Sequence, residues 1–182
     1  MNEIEMIEAC LHGKGEEFRL IVDAYKGPMT ALAVNVLGNR QDAEDVCQEA
    51  FIQAFRHLDR FDRTLSLKTW LFTILYRRCL DVLRKKRRFR SFFLRAAVDP
   101  SPSHQDRGPD APESGEISKA LLESLTAKER SALALWANEG LNSSAIAGIL
   151  GCAASTARVY LFNGRRKIKV LLEKGYGTLG NR

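Results

Sequence analysis

The four cysteines of this 182-residue chain, Cys10, Cys47, Cys79 and Cys152, never form a C-x-x-C pair. Their isolation within helical patterns argues against a disulfide scaffold or a cysteine-based structural zinc site. They read instead as small buried residues in a reducing compartment. Cys10 with His12 offers only two of the ligands a structural zinc needs. Proline is scarce outside one stretch, since four of the five lie between positions 100 and 112. No apolar run approaches the length needed to span a bilayer, and no charged-then-apolar leader is seen. A soluble, cytoplasmic protein without membrane insertion is therefore expected. There are only three histidines, and none stands beside the carboxylates Asp42, Glu44, Asp45 and Glu49, so a metal nuclease lacks its usual ligands. The expectation is a protein that is not an enzyme and needs no metal or other cofactor.

What is present is charge, unevenly placed. The net charge is only +6, yet residues 1–60 carry 6 basic and 11 acidic groups, and residues 61–98 carry 11 basic and 2 acidic. Residues 99–125 return to 2 basic against 6 acidic, and residues 126–182 hold 9 against 3. Two basic regions separated by an acidic spacer suggest two contacts with nucleic acid.

The stretch 42–88 organises the chain. Ala43, Val46, Cys47, Ala50, Phe51, Ala54, Phe55 and Leu58 recur at helical spacing and predict one buried stripe. Asp42, Glu44 and Asp45 suit the positive end of that helix. After a break at 62–66 a second helix is expected from about Leu67 into the basic run. Leu71, Leu75, Cys79 and Val82 share one side of it. Trp70, Thr73, Arg77, Arg84 and Arg88 share the other, with Asp81 placed to pair with Arg77 or Lys85. An exposed aromatic in a guanidinium stripe suits a nucleic acid strand, because phosphates attract the cations and an unstacked base can lie on the ring.

Upstream, residues 3–12 predict a short helix broken by Gly13 and Gly15. A longer one follows from Glu16, with Phe18, Ile21, Val22, Tyr25, Met29, Leu32, Ala33, Val36 and Leu37 at helical spacing, kinked or split at Gly27 and Pro28 and ended by Gly38. Downstream, proline density makes 91–115 a linker. The apolar Phe89, Phe92, Phe93 and Leu94 at its edge either extend the preceding helix or dock on a partner. Order should resume near Glu116 with a short helix bearing Ile117, Ala120 and Leu121. Thr126 and Glu129 form a capping box for a helix through Leu133, Trp136 and Ala137, closed by Gly140. Asn142 or Ser143 caps the next, through Ile146, Ala147 and Leu150, and Gly151 ends it. The last, from about Ala154, buries Ala157, Leu161, Gly164, Ile168, Leu171 and Leu172 and leaves Arg158, Phe162, Arg165, Arg166 and Lys169 outside. Two helices at a tight glycine turn, the second outwardly basic, predict a helix-turn-helix. The fold class is all-α, with two small helical domains, 1–90 and 116–182, joined by the linker.

In order, the motifs DAEDVCQEAF, LDRFD, LKTWLFTIL, Asp81-x-x-Arg84 with its basic run, and LTAKER followed by EGLNSSAIAGILG resemble the bacterial RNA polymerase sigma factors of the extracytoplasmic-function (ECF) group. The resemblance covers nearly the whole chain. It implies that 1–90 is a region-two domain that binds the polymerase clamp and the melted minus-ten element, and that 116–182 is a region-four domain that binds the minus-thirty-five element and the polymerase flap. By resemblance, Asp42, Glu44, Asp45, Gln48 and Glu49 face the clamp. Phe61, Ser66 and their loop, with Trp70 and Arg77, face the melted strand. Ser155 and Thr156 join Arg158, Phe162, Arg165 and Arg166 on the duplex. Core RNA polymerase, promoter DNA and an anti-sigma factor are the partners implied. The chain departs from the family pattern at Tyr76 and Arg77, where Arg-Asn is usual, and at Ala145, Ser155, Val159, Tyr160 and Asn163.

The competing reading is a stand-alone helix-turn-helix regulator whose N-terminal domain dimerises or senses a ligand. A sensor has no use for an acidic helix beside an aromatic, basic one.

Overall fold

Helix is the only regular structure among the described residues of the computed structural model, 3–12, 15–96 and 124–177. The chain divides into two compact units, Met1–Pro109 and Asp110–Arg182. The first contains α1 (Glu3–Leu11), a 3-10 turn (Gly15–Glu17), α2 (Phe18–Leu37), α3 (Arg40–Arg56), a second 3-10 turn (Leu58–Arg60) and α4 (Leu67–Ala96). The second contains α5 (Ala127–Ala137), α6 (Ser143–Leu150) and α7 (Ala154–Gly177). The short helix expected around Ile117 to Leu121 and most of the linker lie outside the described residues.

In the first unit α2, α3 and α4 pack on one another. α2 does not split: it runs unbroken past Gly27 and Pro28. Proline removes one N–H bond to the carbonyl four residues back, that of Ala24, which is exposed and can turn to water. The buried Tyr25, Met29 and Leu32 on either side hold the helix to the core. Small residues on α3, Ala43, Ala50 and Ala54, are fully buried and let its neighbours approach closely. The α4 stripe is wider than expected. Leu71, Leu75 and Cys79 are buried, and so are Phe72 and Tyr76, because α4 packs on both α2 and α3. Burying Phe72 completely is worth about 1.5–3 kcal/mol relative to exposure. Phe55 breaks from the α3 stripe: it is 47% exposed, with its ring edge-on to that of Phe18, 5.1 Å between ring centres. The apolar Phe89 to Leu94 segment extends α4, whose helix continues through Ala96.

Cys10, Cys47 and Cys79 are buried. Burial raises the thiol pKa of all three, and that of Cys79 is pushed up to about 12. They are protonated, inert packing groups. Cys152 is half-buried instead.

In the second unit, α5 starts at the expected capping box. Thr126 Oγ1 accepts from the Glu129 N–H at 3.3 Å, and the Thr126 N–H donates to Glu129 Oε2 at 2.8 Å. Asn142 caps α6 through the Ala145 N–H at 2.9 Å. Gly151, at φ 64°, closes it with a left-handed residue, and the Cys152 N–H reaches back to the Ala147 carbonyl at 3.0 Å. The chain turns by 102° from α6 into α7, within the helix-turn-helix range. On α5 the stripe is rotated from the expected one. Ser131, Ala132 and Leu135 are buried, while Trp136 and Ala137 are exposed. On α7, Ala157, Leu161 and Gly164 are buried, but Ile168 and Leu171 are half-buried and Leu172 is exposed. Gly164 lets α5 approach closely: a Cβ there would lie 2.6 Å from Leu133 Cδ1.

Candidate nucleic-acid interface

α4 begins in a loop whose shape is fixed by short side-chain bonds. Asp62 Oδ1 accepts from the Thr64 hydroxyl at 2.7 Å and from its N–H at 2.9 Å, and these bonds lower the Asp62 pKa. Arg63 ties the loop to α1 through Glu8 at 2.9 Å. Ser66 caps α4 with a long 3.4 Å contact to the Thr69 N–H. Phe61 is buried, and its ring centre lies 4.9 Å from that of the half-buried Trp70, tilted by 45°. One indole surface is therefore braced from below. Thr73 is half-buried and donates its hydroxyl to the Thr69 carbonyl at 2.7 Å, which leaves the oxygen as an acceptor.

Beyond Trp70 the cations are unequal. Asp81 pairs with Arg84 at 3.0 Å, not with Arg77 or Lys85 as expected. Both spacings are neighbourly on a helix, and here the guanidinium three residues on takes the carboxylate. Arg77 and Lys85 are exposed without an ion pair among the described residues. Arg88 is exposed further along. Lys86 pairs with Asp42 at the start of α3, a cross-helix link that no periodicity could reveal.

α3 is capped by Asn39, whose Oδ1 accepts from the Asp42 N–H at 2.9 Å. Asp42 is half-buried and engaged by Lys86, and Glu44 is paired with Arg40 at 2.9 Å. Asp45, Gln48 and Glu49 are exposed with no such partner among the described residues. Of the five expected contact residues, these three present free polar groups. Asp45 and Gln48 also line a broad open groove between α2 and α3. Its apolar members, Leu20, Ile52 and Phe55, are 44%, 46% and 47% exposed. Sequence reasoning missed this patch; the available signal was Ile52, an aliphatic residue standing off the buried stripe.

In the second unit, Ser155 lies exposed and Thr156 half-buried in the first turn of α7, with Arg158, Phe162, Arg165 and Arg166 exposed further along. Arg158, Phe162, Arg165 and Arg166 also line one shallow depression with Lys169. Arg165 is engaged elsewhere too: its guanidinium carbon sits 4.1 Å from the Trp136 ring centre. Lys128 lies 5.7 Å over the Tyr160 ring. Lys167 Nζ donates to both oxygens of the buried Glu129, at 2.8 and 3.1 Å. Burial alone would raise the Glu129 pKa, but the Lys167 ammonium and the Thr126 donors outweigh it and hold the carboxyl below its ordinary 4.5. A second, apolar groove is formed by Leu133, Trp136, Ala137, Ile168 and Leu172, with Arg165 on its edge. It also escaped the sequence reading, which placed Leu133, Trp136 and Ala137 on one helix without assigning them a surface.

An all-helical chain with an acidic helix beside an aromatic, basic one, followed by a helix-turn-helix unit, is the arrangement of sigma-70-type transcription factors. The model of Sigma-70 region 2 matches residues 21–89, and that of Sigma-70, region 4 matches residues 119–168. The ECF RNA polymerase sigma factor EcfG of Rhodopseudomonas palustris is 30% identical over 149 residues, covering 79% of this chain and 78% of EcfG. SigW of Bacillus subtilis, also an ECF sigma factor, is 40% identical over 81 residues, 44% of this chain and 43% of SigW. Two of the curated relatives are thus spanned over only about half their length, 43% and 56%. Among solved structures, the sigma factor RpoE in complex with the anti-sigma factor NepR from Bartonella quintana superposes with a TM-score of 0.69 at 25% identity, over 87% of this chain and 98% of RpoE. The chain belongs to the ECF sigma factor family.

Proposed function

We propose that this protein is a transcription initiation factor of the cytoplasm. It binds core RNA polymerase, directs it to promoter DNA and helps to hold the start region open, without covalent chemistry of its own. The observation that carries this reading is the adjacency of α3 and α4. The carboxylates of Asp45 and Glu49 stand free on one helix, and the braced Trp70 with the unpaired Arg77 stands on the next. A duplex-only regulator has no need of either. Within this reading, residues 1–90 take the clamp and the melted strand, residues 116–182 take the upstream duplex, and 91–115 tether them, with α4 reaching into the tether as far as Ala96. Phe61 supports Trp70 rather than meeting a base itself. The groove of Leu133, Ile168 and Leu172 is suited to an apolar helix of the polymerase flap. Complexes such as that of RpoE with NepR make an anti-sigma partner part of the proposal. The test is run-off transcription with purified core polymerase and genomic fragments. Discrete transcripts that require this protein support the reading; tight site-specific duplex binding without core polymerase, and no transcripts with it, would favour the stand-alone regulator.

A further inference from the structure

α7 offers four arginines or lysines to the side on which a duplex would lie, but two of them are already engaged: Lys169 in an exposed pair with Glu173 at 3.8 Å, and Arg165 on an aromatic ring. Arg165 stands between the outer depression, with Arg158, Phe162 and Arg166, and the apolar groove on the α5 side. Its guanidinium carbon is 4.1 Å from the Trp136 ring centre, well inside cation–π range. Trp136 is 44% exposed, so its ring stands at the surface, where Arg165 can lie over it. The stack sits beside the point where Gly164 brings α7 close to Leu133 of α5. It is flanked by the Lys167–Glu129 pair, which joins the same two helices.

We propose that Trp136 is a positioning residue for the DNA-facing helix: it clamps Arg165 against α5 and so removes that cation from the set available to phosphates, leaving Arg158 and Arg166 to make the backbone contacts. The proposal rests on the duplex-facing reading of α7. The stack fixes where Arg165 can reach. It also joins the two grooves, because any partner that displaced the Trp136 ring would release a cation toward the duplex.

The salt dependence of binding counts phosphate contacts, with a slope of about −0.9 in log affinity against log salt for each contact on duplex DNA. The probe is a 30-base-pair duplex of random sequence, titrated with the full chain between 50 and 200 mM salt. Arg166→Ala should flatten the slope by about 0.9, whereas Arg165→Ala should leave it unchanged. Trp136→Leu should steepen it by about 0.9, since the freed Arg165 joins the phosphates. Trp136→Phe, which keeps a ring, should match the unaltered protein, and Trp136→Leu combined with Arg165→Ala should restore its slope. A merely structural tryptophan would not add a contact on removal. Flattening by Arg165→Ala equal to that by Arg166→Ala would overturn the clamp, as would an unchanged slope in Trp136→Leu. No change in any variant, Arg158→Ala and Arg166→Ala included, would overturn the duplex-facing reading of α7 and the proposal with it.

Discussion

The two units use their cations differently. In the first, the basic face of α4 keeps Arg77 and Lys85 unpaired, and its ion pairs, Arg84 with Asp81 and Lys86 with Asp42, are solvent-accessible. Such pairs contribute at most about 1 kcal/mol each, so a phosphate can replace the carboxylate at little cost. In the second, Lys167 is committed to a buried carboxylate, Arg165 to Trp136 and Lys128 to Tyr160. On α4 the cations Arg77 and Lys85 are held ready for a ligand; in the second unit, part of the charge holds the helices together. The first unit has an extensive apolar core formed by three helices. The three helices of the second, two of them only 11 and 8 residues long, have less to bury and draw on electrostatics.

The contrast is broken most severely by attacking the first core. Phe72→Ala removes a fully buried ring and should cost about 3–5 kcal/mol. Calorimetry should show the transition of the first unit lost or shifted far down while that of the second stays in place. A common shift of both transitions would mean that the units do not melt separately.

Next in size is the loss of the free carboxylates. Asp45→Lys with Glu49→Lys should abolish co-purification with core polymerase, an expected loss of about 2–4 kcal/mol for exposed groups at the centre of an interface, with helical content unchanged by circular dichroism. The same reversal at Glu44, already paired with Arg40, should do less. Equal effects at all three positions would remove the distinction between free and engaged acids.

In the second unit, Glu129→Gln should cost about 1–3 kcal/mol at neutral pH, discounted because the Lys167 side chain is 36% exposed. The Glu129 pKa is lowered in the folded state, so its stabilisation is fully present above the ordinary 4.5 and is lost as the pH falls through the lowered value. Urea denaturation followed by a probe in the second unit should therefore show the variant and the unaltered protein converging once the pH has fallen below the lowered Glu129 pKa. A gap that persists there would deny the ion pair its role.

Much of this could be read from the chain. The capping box at Thr126, the Asn142 cap, the Gly151 stop and the start of α4 at Leu67 follow from local chemistry, and the structure places them as expected. Periodicity failed where an element meets more than one neighbour. α4 buries Phe72 and Tyr76 because two helices cover it, and α5 turns Trp136 outward because Gly164 draws α7 against Leu133. The proline does not split α2 because a single missing hydrogen bond weighs less than a buried face on both sides. Long-range pairs, Lys86 with Asp42 and Lys167 with Glu129, join residues 44 and 38 positions apart and leave no local trace. The candidate contact residues were named by type and resemblance, but which of them are free and which are engaged is a property of packing alone.

In the proposed function Trp70 meets an unpaired base, and the decisive experiment is open-complex formation by Trp70→Ala with core polymerase on a fully duplex promoter and on the same promoter with a pre-melted bubble. Base stacking on an aromatic is worth roughly 1–3 kcal/mol per base, so the duplex promoter should lose about 5- to 150-fold in open complex, with polymerase binding intact. The bubble should recover part of that loss, because the cost of opening has already been met. Equal loss on both templates, together with a large fall in the melting temperature of the first unit, would make Trp70 a packing partner of Phe61 and contradict the strand-binding face.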